Sequence, residues 1–132
     1  MKQYYRDRMT FSRWDDTHII GYLGETIVKD YTPDTPAVDD ETPVAFDAYC
    51  YEGSMPDGGT VMPCNDSSSR DELANAIIRS KYSESEESAI KRHHMLLQDD
   101  ATISKADEYK TEWSDFNAWC DYALKTADIW LG

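Results

Sequence analysis

The sequence lacks the features that place a chain in a membrane or in an oxidising compartment. No apolar run approaches the roughly 20 residues of a membrane-spanning helix, and residues 1–11 hold no apolar stretch typical of a secretory signal. The three cysteines, Cys50, Cys64 and Cys120, are an odd number without CxxC spacing, which indicates reduced thiols. We therefore expect a cytoplasmic protein that makes no membrane contact.

Basic residues are also scarce. The chain has 13 lysines and arginines against 26 aspartates and glutamates, a formal net charge of −13, and residues 30–69 contain no lysine or arginine. Because phosphate contacts need clustered basic side chains, this balance argues against direct binding of nucleic acid. It favours a basic partner surface, or no partner at all.

Sequence motifs of catalysis are missing as well. The chain contains no G-x-S-x-G, P-loop, G-x-G-x-x-G or HExxH pattern. Pairs of carboxylates do not indicate a catalytic site, because 26 acidic residues make a chance pair almost certain. We predict a protein that is not an enzyme and that uses no cofactor or metal.

The stretch from residue 104 to residue 131 is the most informative part of the chain. Its apolar residues recur every three or four positions, which is the spacing of one face of a helix. The members of this stripe are Tyr109, Trp113, Phe116, Cys120, Ala123, Ala127 and Trp130. Ser104 and Asp107 are predicted to cap the helix. The pattern predicts a long last helix that supplies the main apolar surface.

Three apolar residues of this helix, Trp119, Tyr122 and Ile129, fall off the main stripe. A helix that is apolar on more than one face is either packed centrally or presents a face to a partner. Central packing against the sheet and the shorter helices is one interpretation. The other is a contact with another protein subunit, including self-association, because aromatic residues are enriched at such contacts. We take these three as candidate partner-binding residues.

Short segments of strand character fill the first half. Aromatic, β-branched or alternating apolar residues predict strands at 2–6, 10–14, 18–23, 25–31, 44–51 and 60–62. Residues 32–43 carry three prolines and four acids, which predicts an exposed acidic loop. A second loop is predicted at residues 52–59, which contain a Pro-Asp-Gly-Gly turn signal.

Two shorter helices precede the long one. Ser69-x-x-Glu72 and Ser83-x-x-Glu86 both match the capping box, in which two backbone N–H groups are satisfied reciprocally. They open predicted helices that end near residues 81 and 99. Strands followed by helices predict an α+β fold: a small antiparallel β-sheet in the N-terminal half, then a three-helix C-terminal unit with a long last helix.

This order divides the chain into a β-rich half, residues 1–66, and a helical half, residues 67–132. We expect the two halves to share one core.

Two groups of possible metal ligands have simpler explanations. His93 and His94 are adjacent on a predicted helix, so they point about 100° apart and do not share a face; one is expected to face inward and one to face solvent. The acidic residues of the 32–43 loop lack the EF-hand spacing of calcium ligands. These are Asp34, Asp39, Asp40 and Glu41. We interpret them as a solvated loop, with a weak cation site as the alternative.

Cys64 lies in the linker into the helical half. A nucleophilic cysteine needs a base that lowers its pKa, and nothing in the sequence places His18 near it. We interpret Cys64 as structural, with a nucleophile as the alternative. Cys120 lies on the stripe of the last helix and is expected to pack.

Two groups of residues in the helical half together form a recognisable pattern. Its members are Arg79, Tyr82 and Ser83 before an acidic helix with Glu86, Glu87, Ala89 and Ile90, and Glu108-Tyr109 before an aromatic-rich helix ending in Cys120 and Ala123. Over residues 75–127 the chain resembles the helical ends of small acidic proteins encoded among phage and prophage structural genes, near tail or tail-fibre components. The resemblance implies a virion-associated or assembly-accessory protein, not an enzyme, and it assigns no site residues.

The favoured function is a non-enzymatic phage structural or assembly-accessory protein that acts through protein contacts, located in the cytoplasm during assembly or in the virion. The alternative is an acidic DNA mimic that inhibits a nucleic-acid-binding host protein. A mimic needs rows of carboxylates at phosphate-like spacing, and basic residues interrupt such rows on the predicted helices. These are Lys81, Lys91, Arg92, Lys105, Lys110 and Lys125.

Overall fold

The computed structural model describes residues 1–33 and 44–132, and in this part of the chain six strands precede three helices. The strands are β1 (Lys2–Tyr5), β2 (Phe11–Arg13), β3 (His18–Gly21), β4 (Thr26–Tyr31), β5 (Phe46–Glu52) and β6 (Thr60–Pro63). The helices are α1 (Arg70–Lys81), α2 (Glu84–Asp99) and α3 (Ala106–Leu131). The predicted α+β fold with a long last helix is confirmed. Residues 34–43, which make up most of the predicted acidic loop at 32–43, lie outside the described residues.

The strands form two small antiparallel sheets, where a single sheet was expected. One sheet has the order β1-β5-β4 and the other the order β2-β3-β6. Strand β1 pairs with the distant β5, which places Tyr4 opposite Cys50, whereas β2 pairs with its neighbour β3, which places Phe11 opposite Gly21. Side-chain alternation identifies strands, but it does not identify their partners, because pairing depends on packing between distant segments.

The starts of the two shorter helices are confirmed. Ser83 forms a complete capping box: its Oγ accepts from the Glu86 N–H at 3.1 Å, and the Glu86 carboxylate accepts from the Ser83 N–H at 3.3 Å. Ser69 caps α1 by accepting from the Glu72 N–H at 3.3 Å. The Glu72 carboxylate accepts from the Asp66 N–H at 2.6 Å, so only half of the predicted box forms.

The predicted cap of the long helix is wrong. Lys105 occupies the N-cap position of α3 and makes no side-chain cap hydrogen bond. The Ala106 N–H is already paired in a turn, where it donates to the Ile103 carbonyl at 3.1 Å, so the helix begins after that turn and not at Ser104. Asp107 lies in the first turn of α3, where a carboxylate is favoured by the positive end of the helix dipole.

The described residues belong to two compact units. One comprises residues 1–15 and the described part of 19–61, and the other comprises residues 16–18 and 62–132. The hypothesis that residues 1–66 and 67–132 share one core stays a prediction.

A cluster of tyrosines organises the first unit. Tyr51 is 1% exposed; its hydroxyl donates to Glu25 Oε1 at 2.7 Å and accepts from the Met9 N–H at 2.9 Å. The rings of Tyr22 and Tyr51 meet edge to face, with centroids 5.7 Å apart. The Tyr22 hydroxyl donates to Asp57 Oδ2 at 2.8 Å. Burial, and then the hydrogen bonds to carboxylates, raise the pKa of both tyrosines, so their hydroxyls remain donors.

Helices α1 and α2 pack against α3 in the second unit. The predicted stripe of α3 is confirmed as its packing face: Phe116, Ala123, Ala127 and Trp130 are buried, and Tyr109, Trp113 and Cys120 are half-buried. From α1, Leu73 and Ile77 are fully buried, whereas Ile78 is half-buried. Because both shorter helices rest on α3, this helix positions the side chains of the candidate site.

Candidate functional site

The C-terminal end of α1 and the middle of α3 form an open groove of about 490 Å³. It is lined by Lys81, Tyr82, Asp115, Ala118, Trp119 and Tyr122. Lys81 is the last residue of α1, and Tyr82 is its C-cap in an extended conformation. Of the lining residues from α3, Asp115 is four positions before Trp119 and Tyr122 is three positions after it, so these side chains share one face of that helix.

Trp119 is held in the groove by its edge. Its indole N–H donates to the Ile77 carbonyl at 3.1 Å, which ties α3 to the last turn of α1. The Lys81 Nζ lies 4.7 Å from the centroid of the indole ring, which is within the range of cation–π attraction. The residue is half-buried, so Trp119 contributes to internal packing and also lines the groove.

Tyr122 lies beside Trp119, whereas Ile129 lies elsewhere on the helix. The centroids of the Trp119 and Tyr122 rings are 4.9 Å apart. Ile129 is 54% exposed and does not line the groove. The structure therefore brings two of the three candidate residues together. The hydrogen bond of Trp119 to α1 is a contact within the second unit, which agrees with the central-packing interpretation. A contact with a partner at these residues stays a prediction.

The charge of the groove comes from Asp115 and Lys81. The Tyr82 ring packs edge to face on Phe116, with centroids 5.2 Å apart. Burial, and next the nearby charge of Asp115, raise the pKa of the Tyr82 hydroxyl, so this hydroxyl stays neutral at physiological pH. Asp115 is itself exposed, which leaves its carboxylate accessible to a partner.

Sequence reasoning missed Lys81, Tyr82 and Asp115 as neighbours of Trp119. Asp115 is one turn before Trp119, so the i, i+4 spacing on α3 could have found it. Lys81 and Tyr82 lie at the end of another helix, and no periodicity within one element connects them to α3.

The two adjacent histidines of α2 both face α3, which corrects the expectation that one would face solvent. The His93 ring stacks on Tyr109 at 4.0 Å, and its Nδ1 lies 2.5 Å from Glu112 Oε1. The His94 ring stacks on Trp113 at 3.9 Å. Tyr109 and Trp113 are one turn apart on α3, so the two adjacent histidines stack on two different aromatic rings. These contacts support the structural interpretation of both histidines.

A second cavity, of about 290 Å³, contains a cysteine and a histidine that the sequence left unconnected. It is lined by Thr17, His18, Pro63, Cys64, Asn65, Glu72 and Asn75. The Cys64 N–H donates to the Thr17 carbonyl at 2.9 Å, which keeps the segment of His18 next to Cys64. Cys64 is only 5% exposed. Because a nucleophilic thiol needs access to its substrate, this burial favours a packed cysteine.

Within the described part of the chain, the cysteines and the possible metal ligands give no further site. Cys50, Cys64 and Cys120 form no disulfide bond among the described residues. Among residues 1–33 and 44–132, no group of three or more His, Cys, Asp or Glu side chains is placed to hold a metal ion. The acids weighed as cation ligands lie outside the described residues: Asp34, Asp39, Asp40 and Glu41. None of the helices in the described part has the length and apolar character that crossing a bilayer requires.

Comparison of the chain with protein-family models, with curated protein sequences and with solved structures found no match.

Proposed function

We propose that this chain is a non-enzymatic phage structural or assembly-accessory protein, and that it acts through protein contacts at the groove between α1 and α3. The observation that carries the proposal is the groove itself, in which Trp119 and Tyr122 lie beside the exposed Asp115. Aromatic residues bury a large area with few rotatable bonds, and they often dominate the binding energy of an interface.

Other apolar side chains of the second unit are exposed outside the groove. On α3, Ile129 is 54% and Leu131 is 43% exposed, and on α2, Met95 is 63% and Leu96 is 50% exposed. Apolar groups that remain in contact with water give a partner additional surface to bury.

The phage setting rests on the resemblance of residues 75–127. This span contains every residue that lines the groove, from Lys81 to Tyr122. We propose that the protein resides in the cytoplasm during assembly or in the virion, and that its partners are other protein subunits.

The alternative, an acidic DNA mimic, draws its support from the net charge of −13. On the helices, however, two of the carboxylates are already paired with cations. Glu87 binds Arg79 at 3.0 Å and Lys91 at 2.7 Å, and Asp128 binds Arg70 through two hydrogen bonds. Pairing with cations breaks up the rows of charge that would imitate phosphates, so we favour protein contact over mimicry.

The test combines oligomeric state with capture of a partner. Size-exclusion chromatography with light scattering would be run at low and high salt, followed by capture from a lysate of cells that make the protein. Tyr122→Ala removes a groove ring. Trp14→Ala is the matched control, because Trp14 is 50% exposed in the first unit. We expect an oligomer or a captured complex that withstands high salt, is lost with Tyr122→Ala and is retained with Trp14→Ala.

Three outcomes would contradict the proposal. A monomer at both salt concentrations that captures no protein would remove the protein-contact function. A complex that is indifferent to Tyr122→Ala would remove the groove as its site. A complex with a DNA-binding enzyme that dissociates at high salt would favour the mimic, because salt screens contacts between exposed charges.

A further inference from the structure

We propose that the groove binds an arginine side chain from a basic segment of the partner protein, with lysine as the weaker ligand. The inference rests on the proposed function and names the chemistry of its partner. Three features carry it: an aromatic face that already holds a cation, a carboxylate on the same groove, and the net charge of α3.

The aromatic face is that of Trp119. The Lys81 Nζ lies 4.7 Å from the Trp119 ring centroid and 5.8 Å from the Tyr82 ring centroid. Aromatic faces are electron-rich and attract cations, the indole most strongly. The Trp119 N–H donates to the Ile77 carbonyl, so the indole offers a partner its face and not its donor. A guanidinium suits such a face because it is both cationic and planar.

The carboxylate is that of Asp115. This residue lines the same groove one turn before Trp119, and it is exposed. A carboxylate accepts two parallel N–H donors from a guanidinium, whereas an ammonium binds it as a point charge. A ring face and a carboxylate on one groove therefore favour arginine over lysine.

The net charge of α3 selects the kind of partner. The helix carries six acidic residues and two lysines, a net of −4. A second copy of this chain would bring a further charge of −13, and nucleic acids and anionic lipid surfaces are also negative. Complementary charge speeds encounter and suppresses like-charged partners. The occupant that fits is a basic protein segment.

Lys81 makes a distinctive prediction possible. It is exposed and rests on the ring that an incoming arginine would use. The partner must therefore displace it, and its removal is expected to strengthen binding. If Lys81 only supported the packing of Trp119, its removal would weaken binding or leave it unchanged.

The experiment is an NMR titration of the full-length, ¹⁵N-labelled protein. The probes are blocked Gly-Arg-Gly-Arg-Gly peptide and its lysine and glutamine versions, used at a salt concentration that screens long-range attraction. The readout is the indole N–H resonance of Trp119, assigned with Trp119→Phe. We expect the arginine peptide to shift this resonance to saturation, the lysine peptide to bind more weakly and the glutamine peptide to cause no shift.

Matched variants separate the groove from general charge effects. Lys81→Ala is expected to tighten the arginine peptide about two- to fivefold, the size of one exposed cation–π contact. Lys125→Ala makes the same charge change on α3 outside the groove and is expected to change the affinity for the arginine peptide less. Asp115→Asn should weaken binding by a similar factor, and Asp121→Asn is its control. All four residues are exposed, and circular dichroism would confirm the fold of each variant.

Several outcomes would overturn the inference. Equal shifts with the arginine and glutamine peptides, or equal effects within each matched pair, would show that the groove does not recognise a cation. A salt-resistant dimer that protects the Trp119 resonance would identify a second copy as the occupant. If the peptides fail but a captured partner still requires Tyr122, the protein-contact function stands with another ligand; if the partner is also absent, both proposals fail.

Discussion

The imidazole of His94 lies almost parallel to the indole of Trp113, with ring centroids 3.9 Å apart and planes inclined by 10°. One turn earlier on α3, Tyr109 stacks on His93 in the same way. Ile90 is the only residue of α2 that is buried. We infer that the two stacked pairs supply much of the contact that holds α2 on α3.

Replacing Trp113 tests this packing. A fully buried tryptophan costs about 3–5 kcal/mol when it is changed to alanine. Because Trp113 is only half-buried, we expect Trp113→Ala to lower the free energy of unfolding by about 2–3 kcal/mol. Urea denaturation measures the change. Trp14→Ala, at a 50% exposed position, is the control and should stay within about 0.5 kcal/mol; equal, small effects would remove Trp113 from the packed face.

The two serines before α2 and α3 make a matched pair. Ser83→Ala deletes the hydroxyl that accepts from the Glu86 N–H, and we expect it to destabilise the protein by about 1 kcal/mol. Ser104→Ala makes the same chemical change where Lys105, not a serine, is the N-cap, and we expect almost no effect. Thermal or urea unfolding of both variants provides the comparison. A large effect of Ser104→Ala would restore the cap that the sequence predicted.

Glu87 gives the fold a pH dependence. Hydrogen bonds from Lys91 and then Arg79 lower the pKa of its carboxyl. A carboxylate with a lower pKa in the folded chain contributes stability above its unfolded pKa, and this contribution is lost as pH falls through the folded pKa. Glu87→Gln should therefore lower the free energy of unfolding by about 1 kcal/mol at pH 7. It should also reduce the loss of stability below pH 4.5, the ordinary value for this group.

Urea denaturation between pH 3 and pH 7 would measure the Glu87 contribution. Glu84→Gln, at an exposed position in the first turn of the same helix, is the control for the loss of one charge. Parallel pH profiles for the Glu87→Gln variant and the unaltered protein would show that the ion pairs of Glu87 do not stabilise the fold.

The reactivity of Cys64 distinguishes a packed thiol from a nucleophile. At 5% exposure, native Cys64 should react with iodoacetamide more slowly than in the urea-unfolded chain, as mass spectrometry of its peptide would show. Cys120 is the comparison. Burial, followed by the charges of Glu87 and Asp121, raises the pKa of its thiol, and a higher pKa lowers the fraction of the thiol that is present as reactive thiolate. Faster reaction of Cys64 in the native protein, abolished by His18→Gln, would establish an activated thiol.

Short-range chemistry accounts for the parts of the fold that were predictable. Alternating side chains identified the strand segments, and the hydroxyls of Ser69 and Ser83 identified two helix starts, because these signals act within a few residues of one another. The long stripe of α3 was equally visible, since a helical period repeats over its whole length. The candidate residues Trp119 and Tyr122 were found in the same way, as departures from that period.

Contacts between residues far apart in the sequence could not be predicted from such local signals. The division of the strands into two sheets, the position of Lys81 on the Trp119 ring, and the shared cavity of His18 and Cys64 all join segments that no repeat connects. Likewise, Glu72 bonds to Asp66 and not back to its own cap. Such contacts follow from how whole elements bury their apolar faces against each other, and that packing exists only once the chain has folded.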